Sequence, residues 1–193
     1  MDKLFIATNN DHKKEEINTI LKNNGINLEI VSPKDFNDHD EPVENGLTYQ
    51  ENAYIKAKYY YDKYHLPTLA DDSGLSIKYF NDLPGIHSAR FLKGLNIEET
   101  NNYIIDLMKD VKHRDALFEC WICFINNDEV KYYQGLNPGE IALEAKGDEG
   151  FGYDPIFLIK EFNKTEAELG NAYKNENSHR AKALKSWVND LDK

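Results

Sequence analysis

The run Leu69-Ala70-Asp71-Asp72-Ser73-Gly74-Leu75 sets two adjacent carboxylates, a hydroxyl and a glycine after Pro67 to Ala70, which reads as a short buried strand. Neighbouring acids at a strand end are costly unless something positive sits beside them. The simplest such partner is a divalent metal with oxygen ligands, and Mg²⁺ commonly bridges one or two carboxylates to substrate phosphates. Asp, Ser and Gly are also turn residues, and the glycine predicts a turn of the backbone here. On these residues alone, a solvated turn and a metal-assisted phosphate site are both open.

Other stretches carry complementary chemistry. Thr8-x-Asn10-x-x-Lys13-x-x-Glu16 follows a first strand, Lys3 to Thr8, and opens a helix with Ile17, Ile20 and Leu21 on one face and a stop at Gly25. Free N–H groups, an Asn side chain and a Lys then meet after a strand, which suits an anion cradle; a plain Asn10 cap with a solvated Lys13 fits equally. Gly25 is the first glycine, so this is neither a Walker loop nor a dinucleotide fingerprint. An acidic loop from Ser32 to Asn45 leads through Glu44-Asn45-Gly46 to a second helix, where Thr48 and Glu51 match a capping box. Thr48, Asn52 and Lys56 share its polar stripe. Glu51 has a structural role in the cap and Glu44 has none, so Glu44 is the better metal candidate.

Gly147 to Pro155 contains three glycines with Phe151, Tyr153 and Asp154. That composition can sandwich a flat heterocycle and read its edge, or form a tight loop with its aromatics in the core. A last helix begins near Ser178 and puts His179 and Arg180 in its first turn. The dipole disfavours cations there unless they meet an anion or donate to a ligand. Lys174 lies just upstream. Arg90, in Ser88-Ala89-Arg90-Phe91, reads as a buried salt-bridge partner in preference to a phosphate ligand.

These residues need a scaffold of alternating strands and helices. Further strands are predicted at Leu28 to Val31, Leu75 to Phe80, Arg114 to Ile125, Val130 to Gly135, Glu140 to Ala145 and Ile156 to Ile159, with a helix from Asn96 to about Lys109. Three consecutive strands without a helix between them suggest a mixed sheet. The length of 193 residues suits one large domain or one domain with a small lobe. A net charge of -11 argues against nucleic acid as a partner and makes a cation necessary for an anionic ligand. No apolar run is long enough to span a bilayer and no signal peptide is evident, so a cytoplasmic protein without membrane contact is expected. Cys120 and Cys123 have C-x-x-C spacing, but their run is apolar and strand-like, and buried core thiols are favoured over redox or zinc chemistry.

In order, the stretches Thr8 to Lys13, Glu44 to Ala53, Ala70 to Leu75, Pro84-Gly85 with Ser88 to Phe91, Gly150 to Pro155, and Ser178-His179-Arg180 resemble the inosine triphosphate pyrophosphatase family. The resemblance spans almost the whole chain. It implies one α/β domain over residues 1–193, elongated and two-lobed, with a central mixed β-sheet flanked by helices and the active site in the cleft between lobes. It implies hydrolysis of ITP, dITP and XTP to the monophosphate and pyrophosphate, Mg²⁺ dependence and a homodimer. Thr8, Asn9, Asn10, Asp11, His12, Lys13, Ser73 and Lys174 would hold the triphosphate. Phe151, Gly152, Tyr153 and Asp154, with His179 and Arg180, would hold the base. Asp72 would accept the proton and, with Glu44, associate with the metal; Lys56 would assist catalysis.

Two positions depart from the family pattern. Asn45 stands where Thr is common, and Glu149-Gly150 stands where Gly-Gly is frequent, placing an extra negative charge near the nucleotide pocket. Asp71 is read as a supporting or structural partner, with Arg90 a candidate counter-ion. Two other functions remain to be tested against this one: a pyrophosphatase for pyrimidine or modified nucleotides, and a nucleotide sensor without catalysis.

Overall fold

Strand residues alternate faces with period two, so a strand that is apolar at every position must be covered on both sides. The structure, a computed structural model, describes residues 1–191. Among them are seven strands: β1 (Lys3–Ile6), β2 (Glu29–Val31), β3 (Thr68–Ile77), β4 (Asp115–Asn126), β5 (Glu129–Ile141), β6 (Phe157–Ile159) and β7 (Lys164–Thr165). They form one sheet in the order β2-β1-β3-β4-β5-β6-β7. β1 is parallel to β2 and β3, with Leu4 opposite Ile30 and Ile6 opposite Leu69. β6 is antiparallel to β5 and β7. The expected mixed α/β sheet is therefore present. Its helices are α1 (Asp11–Asn23), α2 (Tyr49–Tyr64), α3 (Ile97–Leu107), α4 (Glu166–Asn177) and α5 (His179–Leu191). No helix among the described residues is long and apolar enough to cross a membrane.

The chain divides into two compact units. The first holds Met1–Ser73, Cys120–Gly135 and the chain from Arg180; the second holds Gly74–Glu119 and Leu136–His179. In the first unit, Leu4, Ile6, Leu69, Cys120, Ile122 and Phe124 pack against Ile17, Ile20 and Leu21 of α1 and Ala181, Leu184 and Trp187 of α5. The intervening residues Phe5, Ala7, Ala70, Cys123 and Ile125 pack against Ala53, Ala57 and Tyr60 of α2. The odd spacing of Cys120 and Cys123 thus puts the two free, buried thiols on opposite faces of one strand. Burial pushes the Cys123 thiol up to about 12, so both behave as core residues.

In the second unit, Leu75, Ile77, Phe118, Ile141 and Phe157 form a core with Ile104 of α3, and Leu169 and Tyr173 of α4 pack against it. Arg114, at the start of β4, is 8% exposed. Its guanidinium donates to the carbonyls of Ile141 at 2.6 Å and Ala142 at 2.7 Å, and also to that of Met108. One planar fork therefore ties the end of α3 to the end of β5.

Several boundaries differ from the sequence expectations. The chain does not turn at Asp71 to Gly74: β3 runs straight through, ending at Ile77 in place of Phe80. Gly74 is not among the residues with left-handed backbone. β5 continues past Gly135 to Ile141, so Glu140 does not open a separate strand reaching Ala145. The helix α4 was not expected, although Thr165 and Glu168 form a full capping box at its start.

Arg114→Met keeps much of the stem's packing but strips three buried carbonyls of their donor. It should cost about 3 kcal/mol in urea unfolding, with an unchanged denaturant slope.

Candidate active site

Successive residues of a strand point to opposite faces, so two adjacent aspartates in mid-strand cannot share one environment. Asp71 follows Leu69 onto the face covered by α1 and α5; Asp72 follows Ala70 onto the face covered by α2. Asp71 is 3% exposed. Its Oδ2 accepts from Lys13 Nζ at 3.0 Å, and from Arg180 Nε at 3.2 Å and NH2 at 3.0 Å. Arg180 also reaches Glu16 at 2.9 Å through NH1 and Ser73 Oγ at 2.9 Å through NH2. Burial works against the Asp71 carboxylate, but Lys13 and Arg180 outweigh it and hold the group well below the usual range. Burial likewise opposes the Arg180 charge, and Glu16 and Asp71 overcome it, so its affinity for the proton rises.

Asp72 has the opposite balance. Asn52 Nδ2 donates to its Oδ2 at 3.2 Å, and Lys56 Nζ lies 3.4 Å from its Oδ1. The same ammonium is 3.1 Å from Glu44 Oε1, so both carboxylates touch one cation. Burial raises the Asp72 pKa, with Glu44 and Asp71 adding to the rise and Lys56 and Lys13 opposing it. Lys56 loses by burial and gains more from Asp72, Asp71 and Glu44, which keeps it charged. Adjacent residues therefore carry one carboxylate locked ionised and one pushed toward protonation, the pattern that separates a structural charge from a base.

The metal question turns on this second face. Glu44 and Asp72 offer only oxygen donors, which suit Mg²⁺, and the Lys56 ammonium already occupies a cation's place between them. Two carboxylates leave the other positions to water and phosphate, so the donor set fits. Among the described residues, no group of three or more His, Cys, Asp or Glu forms a complete protein cage. Asn52 was placed on the polar stripe by sequence but not in the site. Its Oδ1 also accepts from Gly46 N at 2.9 Å, so it ties the Glu44 loop to Asp72.

At the α1 N-terminus, Asn10 Oδ1 caps the helix by accepting from Lys13 N at 3.2 Å, and Thr8 Oγ1 accepts from Asn10 N at 3.2 Å. Asn9 Nδ2 donates to Glu41 at 3.0 Å, while its buried Oδ1 has no partner among the described residues. Asp11 pairs with Lys34 at the surface, and His12 is exposed. Glu16, one turn beyond Lys13, shares its helix face by spacing, and this is what brings it to Arg180.

The second unit gathers the loop residues. Gly150 has φ 80°, and any side chain there would collide with Asp154 Oδ2. That oxygen accepts from Phe151 N and from Lys174 Nζ, each at 2.7 Å. Lys174 Nζ also sits 4.0 Å from the centre of the Phe151 ring. Lys174, placed by sequence with the phosphate ligands, is thus built together with the loop expected to hold the base. Tyr153 lies in the core and its hydroxyl donates to Ser88 O at 2.8 Å, whereas Phe151 is half-buried. His179 is 5% exposed and stacks on Phe118 at 4.7 Å. Arg90, expected to be buried, is instead exposed at the end of a 3-10 segment, Gly85–Arg90, and the guanidinium on Asp71 is that of Arg180. A cavity of about 320 Å³ beside the loop is lined by Asn101, Lys146, Phe151 and Gly152 among others.

Asp71→Asn should destabilise the protein by about 3–5 kcal/mol at neutral pH, because it removes the partner of a buried Arg and Lys. The folded pKa is depressed, so this stabilisation is present above the unfolded value and is lost as pH falls toward the folded one. The difference between wild type and variant in denaturant unfolding should therefore shrink as the pH is lowered below the ordinary aspartate value.

A sequence model of the Ham1 family matches residues 4–190. The dITP/XTP pyrophosphatase of Aquifex aeolicus is 39% identical over 98% of this chain and 96% of its own. That of Treponema denticola is 41% identical over 94% of each chain. Among solved structures, a HAM1 protein from Coxiella burnetii superposes with a TM-score of 0.88 at 34% identity, over 100% of this chain and 99% of that one. The Staphylococcus aureus Ham1 protein gives 0.87 at 30% identity, over 99% and 98%.

Proposed function

The chain belongs to the Ham1 family, and we propose that it hydrolyses the non-standard purine nucleoside triphosphates ITP, dITP and XTP to the monophosphate and pyrophosphate, clearing them from the nucleotide pool. The observation that carries this reading is the split of Asp71 and Asp72 onto two faces of β3, one charge-paired and one poised as a base.

Water attacks the α-phosphorus in line. Asp72, with its raised pKa and its Oδ1 beside Lys56, orients that water and takes its proton. Glu44 and Asp72 would hold Mg²⁺, which when bound neutralises triphosphate charge and polarises the attacked phosphoryl group. Lys56 then shifts from pairing the carboxylates to offsetting charge on the leaving pyrophosphate. Lys13 and the N–H groups of the Thr8 to Lys13 turn, with Ser73, take the phosphates. Asp71 and Arg180 hold this turn and Ser73 in place.

In the second unit, Phe151 offers a face to the purine, and Gly152 lets the loop backbone approach it. Asp154 and Lys174 set the loop's shape. The Arg180 guanidinium is engaged with Asp71 and Glu16, so donors to the base's 6-keto oxygen come from backbone N–H groups at the His179-Arg180 turn in preference to that side chain. A 6-amino group would confront those donors with another donor, and such a mismatch discriminates strongly. A net charge of -11 supports a small metal-bound substrate over a nucleic-acid backbone. A cytoplasmic homodimer completes the proposal.

Incubation of ITP, XTP, GTP, ATP and dTTP with the protein and Mg²⁺ tests the reading. Monophosphate plus pyrophosphate from ITP and XTP is expected, with turnover lost on chelation; orthophosphate with a diphosphate product overturns it. Asp72→Asn should lower kcat by about 10²–10⁴-fold while nucleotide still binds. In the metal-free protein, burial should make the Asp72 carboxyl titrate above the ordinary aspartate value when followed by NMR; titration at or below that value would count against its role as the base.

A further inference from the structure

Lys174 occupies a helix that is broken just ahead of it. Within α4, Gly170 has φ 82° and ψ 173°, outside helical geometry, so residues 171–177 restart as a new helical segment. A restarting helix leaves N–H groups without intrahelical acceptors, and an N-cap side chain normally supplies one. Glycine has no side chain to do this. The acceptor comes instead from the base-side loop: Glu149 Oε2 accepts from Asn171 N at 2.9 Å. The carboxylate lies so close over Gly170 that an added Cβ would be 3.0 Å from Oε2 and 3.1 Å from Oε1. Its negative charge also suits the positive end of the segment.

The same loop is fastened to the first part of α4. Thr165 Oγ1 donates to Lys146 O at 2.8 Å, and Gly147 packs so tightly that an added Cβ would be 2.4 Å from the Ala167 carbonyl carbon. Beyond Glu149 the chain passes through Gly150 to Phe151 and Asp154, both of which meet Lys174. Lys174 lies one turn after Asn171. The Glu149 contact therefore closes a circuit: loop to helix through the cap, and helix back to loop through Lys174.

We propose that Glu149 is a positioning residue for nucleotide binding, acting through Asn171 to fix Lys174 beneath the Phe151 loop. This rests on the reading that the loop holds the purine. A carboxylate beside an anionic substrate would by itself only repel it, so the two effects have opposite signs. As a cap, loss of Glu149 weakens binding; as a repelling charge, its loss strengthens it.

Glu149→Ala and Glu149→Gln separate them. Glu149→Ala should raise KM for ITP by about fivefold to tenfold with kcat within about twofold of wild type. Glu149→Gln, which keeps an oxygen acceptor without the charge, should restore KM to within about twofold of wild type. Amide exchange at residues 171–174 should quicken by about tenfold in the Ala variant alone. An unchanged KM, a lowered KM in both variants, or equal losses in both overturns the proposal. If the wild type hydrolyses none of the purine triphosphates, the functional reading fails on that result, and unchanged exchange in Glu149→Ala separately overturns the cap.

Discussion

A carboxylate in the middle of a buried strand has no stable state by itself; it must be neutralised or protonated. Asp71 is neutralised, and much of the first unit is arranged to do so. Lys13 reaches it from α1 and Arg180 from α5, and Glu16 absorbs the surplus of the guanidinium. Two cations and two anions balance on that face. On the opposite face Asp72 and Glu44 both contact the Lys56 ammonium, at 3.4 and 3.1 Å. The close charge cluster on one side of β3 and this looser grouping on the other let adjacent residues differ in chemistry.

The second unit uses the same device on a smaller scale. Lys174 is buried against Asp154, and both are nearly inaccessible. The ammonium and the Phe151 N–H converge on one oxygen, so the loop's shape is held by charge-assisted bonds as well as by its glycines. Tyr153 fills the core and donates to the Ser88 carbonyl, which anchors the loop from its other side.

Much of this was legible in the residues. The unbroken apolar run Leu4 to Ala7 and the stripe Ile17, Ile20, Leu21 forecast β1, α1 and the layer between them, because apolar pattern reports directly on burial. The glycine after Asp71-Asp72-Ser73 misled, since Asp, Ser and Gly favour turns locally while pairing within the sheet holds them extended. That local signal hid the most useful fact, that strand alternation parts the two carboxylates. The partner of Asp71 was also beyond sequence: Arg90 and Arg180 are equivalent as residue types, and only packing selects Arg180. The break in α4 was invisible because its cap comes from Glu149, which lies 22 residues away from Asn171.

The Asp71–Arg180 contact joins residues 109 apart, and Glu16–Arg180 joins residues 164 apart. On the ribosome, Asp71 and Glu16 emerge long before the guanidinium that balances them. Until α5 is released from the exit tunnel, the central strand carries an acid with only Lys13 to meet it, and the face that α5 will cover stays bare. Consolidation of the first unit therefore waits until α5 has left the tunnel, and a nascent chain stalled before residue 180 is a natural client for chaperones and proteases.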